Sequence, residues 1–133
     1  MFTTLVPIAL ESTYLKLDLG TCRKLRVFEV RVETSPHTFV DLVNWLAGVL
    51  STITSPVFSE FILSLDETTL EPHISQINDA TTLPLDQWVS WLSYRSGMRF
   101  IIKGHLSLVW RQLLQLRFPS STCACAIRFD LAD

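Results

Sequence analysis

The sequence predicts an α/β chain of the solenoid kind, with parallel strands alternating with helices in about three irregular units. Two observations carry this. Segments with apolar residues at every second position alternate with segments whose apolar residues recur at spacings of three and four, and strands joined by helical crossovers pair in parallel. An opening apolar-x-x-apolar pattern also recurs at Leu25, Phe58 and Met98, 33 and 40 residues apart, which favours a repeated strand-plus-helix unit over a doubly wound sheet.

Taken in order, Leu15, Leu17 and Leu19 alternate with Lys16 and Asp18 and predict a first strand, punctuated by Gly20-Thr21. Leu25 to Glu33 predicts a second, with Phe28, Val30 and Val32 toward the core and Glu29, Arg31 and Glu33 on the other side. Ser35-Pro36, or Thr38 with Asp41, opens a helix. Phe39, Leu42, Val43, Leu46, Val49, Leu50 and Ile53 form its stripe, and Pro56 closes it. Phe58, Phe61, Leu63 and Leu65 mark a third strand with Ile62, Ser64 and Asp66 opposite. Residues 67–84 show no clean period and are expected to form a loop with at most a helical turn.

Beyond Pro84, Leu85, Trp88, Val89, Trp91 and Leu92 suit a short helix ending at Ser96-Gly97, where glycine takes the left-handed position. Met98 to Lys103 predicts a fourth strand. Leu106, Val109, Trp110, Leu113 and Leu114 predict a helix closed by Pro119. A fifth strand is expected with Cys123, Cys125, Ile127, Phe129 and Leu131 on its apolar face.

At 133 residues the chain is expected to be one domain, residues 1–133. Apolar residues make up 48% and charged residues 18%, so disorder is excluded for most of the length. A net charge of −2 without a basic run argues against nucleic acid as a partner. The charge-free run between Asp41 and Glu60 carries Asn44, Ser51, Thr52 and Ser55-Pro56 and reads as a buried helix plus turn, not a membrane span. No signal-peptide pattern precedes Pro7, and three cysteines are too few for a disulfide framework, so a reducing intracellular setting, cytoplasmic or nuclear, is expected.

The stretch Leu15-x-Leu17-x-Leu19-x-x-Cys22-x-x-Leu25-x-x-Phe28-x-Val30 is similar to the leucine-rich-repeat pattern in its cysteine-type form. With the Ser-Pro turn before Phe58 and Leu116-Arg117-Phe118-Pro119 before a terminal strand, most of the chain resembles the C-terminal repeat region of fungal (basidiomycete-type) F-box proteins. That resemblance implies a non-catalytic protein-interaction scaffold, recognising substrates for a ubiquitin ligase on the strand face. The F-box helices of such proteins find no counterpart before Leu5. The expected unit is therefore the repeat region alone, as a short chain or as a fragment of a longer solenoid, with self-association through an exposed repeat edge as a further consequence.

No nucleophile elbow, zinc-protease helix, phosphate-binding glycine loop or acidic metal box occurs, and no cofactor, metal site or catalytic residue is assigned. Cys123-Ala124-Cys125 lacks a second cysteine pair or nearby histidine and reads as small apolar residues of a strand, and Cys22 as a repeat corner. A small thiol enzyme remains the alternative from another class. His37, His73 and His105 read as surface or capping residues. Trp45, Trp88, Trp91 and Trp110 fall in predicted helices and are expected to pack on the core, with Trp45 a candidate anchor beside the main stripe. The candidate partner-binding surface is the polar strand face, Glu29, Arg31, Glu33, Ser64, Asp66, Lys103, Arg128 and Asp130; solvated strand residues without a partner are the other reading of the same set.

Overall fold

A computed structural model describes residues 2–8, 20–21, 23–32, 39–123 and 126–131. Five strands, β1 (Phe2–Ile8), β2 (Leu25–Val32), β3 (Glu60–Ser64), β4 (Arg99–Gly104) and β5 (Ile127–Leu131), lie in one sheet. Between them come α1 (Phe39–Ser51), α2 (Glu67–Leu70) with a 3-10 turn Glu71–Gln76, α3 (Asp79–Ser96), α4 (Leu108–Arg117) and α5 (Pro119–Cys123). The strands follow chain order, β1-β2-β3-β4-β5, and every neighbouring pair is parallel. The chain is thus α/β with a parallel sheet, as the alternation of periods predicts.

All the described helical packing lies on one side of this sheet. The strand residues that join the main apolar cluster within β2, β3 and β4 are Leu25 at the start of β2, then Phe28, Val30, Phe61, Leu63, Phe100 and Ile102. They meet Leu42, Leu46 and Leu50 of α1, Leu85, Val89 and Leu92 of α3, and Trp110 and Leu114 of α4. Register places Phe28 beside Phe61 and Phe61 beside Phe100. Their rings stack at 5.8 and 4.9 Å, and Phe118 closes the row edge-on against Phe100 at 5.7 Å. Centroid separations near the ~4.8 Å strand spacing are what parallel in-register strands impose on identical side chains. A small cavity of about 20 Å³ beneath Leu63, Phe100 and Phe118 is lined only by apolar side chains, so it holds no water and serves no polar ligand.

The sheet's leading end is tied by serines. Buried Ser55 donates its hydroxyl to the Leu25 carbonyl at 2.7 Å, and Ser96 bonds the Phe58 carbonyl at 3.0 Å, so each serine fastens a strand entry to the strand before it. At the other end Gly104, with φ of 142°, presses against β3, where a methyl group would run into the Leu65 carbonyl.

Four findings differ from these expectations or add to them, the first being a strand that the alternation did not mark. The strand at Leu15 to Leu19, the repeat corner at Cys22 and the helix opening at Ser35-Pro36 lie outside the described residues, whereas β1 forms at Phe2–Ile8, a stretch with no clear alternation. Residues 67–84 are largely helical, and α3 runs for 18 residues from Asp79. Its start is a capping box in which Asn78 Oδ1 accepts from the Thr81 amide and Thr81 Oγ1 accepts from the Asn78 amide, both at 3.1 Å. Pro84 therefore falls in the second turn, costing one backbone bond, instead of opening the helix. Gly97 does close it in the left-handed conformation, φ 71° and ψ 20°.

The third change concerns register. Phe61 pairs with Phe100, 39 residues on, so Met98 stands one residue out of step with Leu25 and Phe58. Fourth, Cys123 is not on a strand. It ends α5, exposed, and β5 begins only at Ile127. The cause is tertiary: the buried Asp86 carboxylate accepts from the Ser120 amide (3.1 Å), the Ser121 amide (2.9 Å) and the Ser121 hydroxyl (2.6 Å), pinning the first turn of a short helix onto α3.

Candidate interaction surface

Alternation along each strand sends one set of side chains into the helical core and the other to the opposite face. Register orders that second set into three rows. The central row is Glu29, Ile62, Ile101 and Arg128, one residue per strand from β2 to β5. One row toward the leading end contains Val27, Glu60 and Arg99, and one row toward the trailing end contains the positions of Arg31, Ser64, Lys103 and Asp130. Arg99, Arg128 and Asp130 are exposed, while Glu29, Glu60, Ser64 and Lys103 are half-buried. Ile62 and Ile101 are only 7% and 4% exposed, yet neither belongs to the helical core, so this face carries a buried apolar pair at its centre.

Of the eight residues the sequence nominates, the structure brings Glu29, Ser64, Lys103, Arg128 and Asp130 onto this face, with Arg31 at its register position. Glu33 lies outside the described residues. Asp66 is a correction. It sits past the end of β3, and its Oδ1 accepts from the His105 amide at 2.9 Å, fastening the turn after β4. The alternation missed Glu60 and Arg99, which stand side by side in register. Phe100-Ile101-Ile102 is a continuous apolar run, and without a visible parity Arg99 could not be assigned a side; the signal that recovers it is the partner strand, where Phe61 and Ile62 separate cleanly.

The helical side carries exposed apolar residues of its own. Trp91 is 50% exposed and stacks on Tyr94 at 6.4 Å, and Leu83 lies on the same outer side of α3. Gln87, Trp88 and Trp91 line a shallow groove there. Leu108, Val109 and Leu116 project from α4. Trp91 and Val109 are therefore not core residues as their spacing predicts: α3 spends its inner stripe on Leu85, Val89 and Leu92, and α4 on Trp110 and Leu114. Trp110 is buried, and Trp45 and Trp88 pack partly buried against the core.

No group of three or more histidine, cysteine or acidic side chains is placed to hold a metal ion among the described residues. Asp86 with Ser121 is the closest approach of a carboxylate to a hydroxyl, at 2.6 Å, but the hydroxyl's proton and both backbone amides already converge on that carboxylate to hold α5. Both residues are fully buried, so the hydroxyl faces no open site. No described helix is long and apolar enough to cross a membrane. No protein-family model, curated protein or solved structure matches the chain.

Proposed function

We propose that the chain is a leucine-rich-repeat-like solenoid of about three irregular units whose open strand face binds another protein, without chemistry of its own. What supports the repeat reading is the sequential parallel order of the strands with the described helical packing on one side, together with the Ser55 and Ser96 corners that fasten successive strand entries alike. What supports the binding reading is the single observation that the other side of the sheet is a charged border around a buried isoleucine pair. Interfaces of this kind combine an apolar centre with a polar rim. The F-box resemblance assigns the bound protein as a substrate delivered for ubiquitination.

A photo-crosslinking amino acid at Ser64, on the open face, compared with one at Gln112, exposed on α4, tests this in cell extract. Polypeptide adducts at Ser64, carrying ubiquitin when a ligase mixture is added, are the expected result; a bare Ser64 probe overturns the reading. A second reading rests on Leu108, Val109 and Leu116, whose exposure on α4 suits a flank that docks further repeats of a longer chain. Adducts at Gln112 with none at Ser64 would favour it.

A further inference from the structure

We propose that the outer edge of β5 pairs antiparallel with β5 of a second copy of this chain, about a two-fold axis normal to the sheet at Phe129. The inference goes beyond the reading of the open face and does not depend on it. Among the described residues β5 pairs only with β4. The Phe100 amide donates to the Ala126 carbonyl at 2.7 Å, which fixes how the strand is turned. Peptide groups alternate sides along a strand, so Ala126, Arg128 and Asp130 address β4, whereas the N–H and C=O of Ile127, Phe129 and Leu131 point away from it. The strand at the other edge, β1, contains Pro7, which has no N–H to offer. β5 has no proline.

Outward groups must meet outward groups, so only registers centred on a residue of the strand are open. With the centre at Phe129, that residue faces its own copy and Ile127 faces the backbone of Leu131, each pair exchanging both an N–H and a C=O bond. Arg128 then stands opposite Asp130 in a non-hydrogen-bonded pair, where side chains approach most closely, and symmetry makes the contact twice. Both are exposed, and neither side chain has a hydrogen bond or ion pair among the described residues. Lys103 lies beside Asp130 in register, so the row runs Lys103, Asp130 and the Arg128 of the second copy, with alternating sign. Moving the centre by one residue sets Arg128 against Arg128, or Asp130 against Asp130, and centres farther along shorten the paired segment. Like charges repel, so charge selects the register centred on Phe129.

The same axis keeps both helical layers on one side of a continuous sheet. α1 packs on α3, and α3 on α4 and α5, so the helices follow the order of the strands and α4 with α5 ends the layer toward β5. There α4 leaves Leu108, Val109 and Leu116 exposed, at 58%, 73% and 70%, apolar surface for the second copy to cover. Size sets the strength. Five paired residues extend roughly 17 Å, and a sheet with one helical layer is about 20 Å deep, an area below the ~800 Å² per partner of a tight complex. The dimer is consequently reversible and concentration-dependent.

Sedimentation of the purified full chain from about 1 to about 300 μM reads the association, and amide exchange followed by NMR reads the edge. The Ile127 and Phe129 amides should exchange about threefold or more slowly at high concentration than at low, while the Arg128 amide, directed at β4, changes little. Arg128→Asp and Asp130→Arg should each weaken association by about tenfold or more, because like charges then meet twice. Mixing these two variants should restore it, since each supplies the charge the other lacks, and the double variant R128D/D130R should associate with itself. Restoration on mixing cannot come from misfolded chains. A monomer throughout, a dimer whose Ile127 and Phe129 amides exchange as in the monomer, or variants that stay apart on mixing would overturn the proposal. Capture by the Ser64 probe is independent of each of these outcomes, so the reading of the open face and the pairing of the edge fail separately.

Discussion

On one face of the sheet Phe28, Phe61 and Phe100 stack in register under three helices, each of them fully buried. On the other, the adjacent residues Glu29, Ile62, Ile101 and Arg128 form a row with an apolar pair between two charges, continued by the register position of Leu5 on β1. The two rows are one residue apart along the same backbone and share its hydrogen bonds. What separates them is that the first is wholly apolar and packed under the helices, while the second mixes a buried isoleucine pair with a half-buried and an exposed charge. Helical packing and surface charge are thus divided between alternate positions of the same strands.

The sharpest way to break this division is at its centre. Phe61→Ala removes the middle ring of the stack and leaves a cavity against Phe28 and Phe100, with an expected loss of about 4 kcal/mol, read from urea or thermal unfolding. The neighbouring Ile62→Ala, on the other face, should cost clearly less because its surroundings are long flexible side chains able to settle into the space. Equal losses at the two positions would mean that the open face is packed as a second core.

A smaller effect is expected at Asp86, which belongs to the helical side but holds it through hydrogen bonds instead of apolar contact. Asp86→Ala leaves the Ser120 and Ser121 donors without their acceptor and should cost about 3 kcal/mol, with amide exchange rising first in α5. Asp86→Asn retains one acceptor oxygen and should lose less.

These two sites also show what a sequence can and cannot disclose. The stacked face was legible on β2 and β3 because they repeat large apolar residues two apart, and on α1 because it repeats them three and four apart, so burial there can be read from period alone. Gly97 was legible because a left-handed helix end leaves a residue-specific mark. The N-terminus of α3 was not, since Asn78 and Thr81 make an unusual reciprocal cap and Pro84 suggested a later start. α5 was hidden for a different reason: its anchor, Asp86, lies more than thirty residues away and looks like any surface carboxylate until the fold buries it. On the opposite face Glu29, Ser64, Arg128 and Asp130 could be collected from strand parity and Lys103 only as the charged end of its apolar run, but their order into rows depends on which residue stands beside which. Parallel register is decided by crossover length and corner bonds, and neither has a local signature.

The smallest expected effect belongs to the face that does not hold the fold together. Arg99 is exposed beside half-buried Glu60, and a surface pair of this kind contributes at most a few tenths of a kcal/mol, because solvent screens the charge on Arg99. Arg99→Gln keeps part of the aliphatic stem while removing the charge. The unfolding midpoint should therefore move by less than about 0.5 kcal/mol in stability terms, in low salt as in high. A larger loss would place Arg99 in the architecture and not on a surface. The combination of an unchanged midpoint with weaker crosslinking from the Ser64 probe is the signature of a residue retained for what it meets outside its own chain.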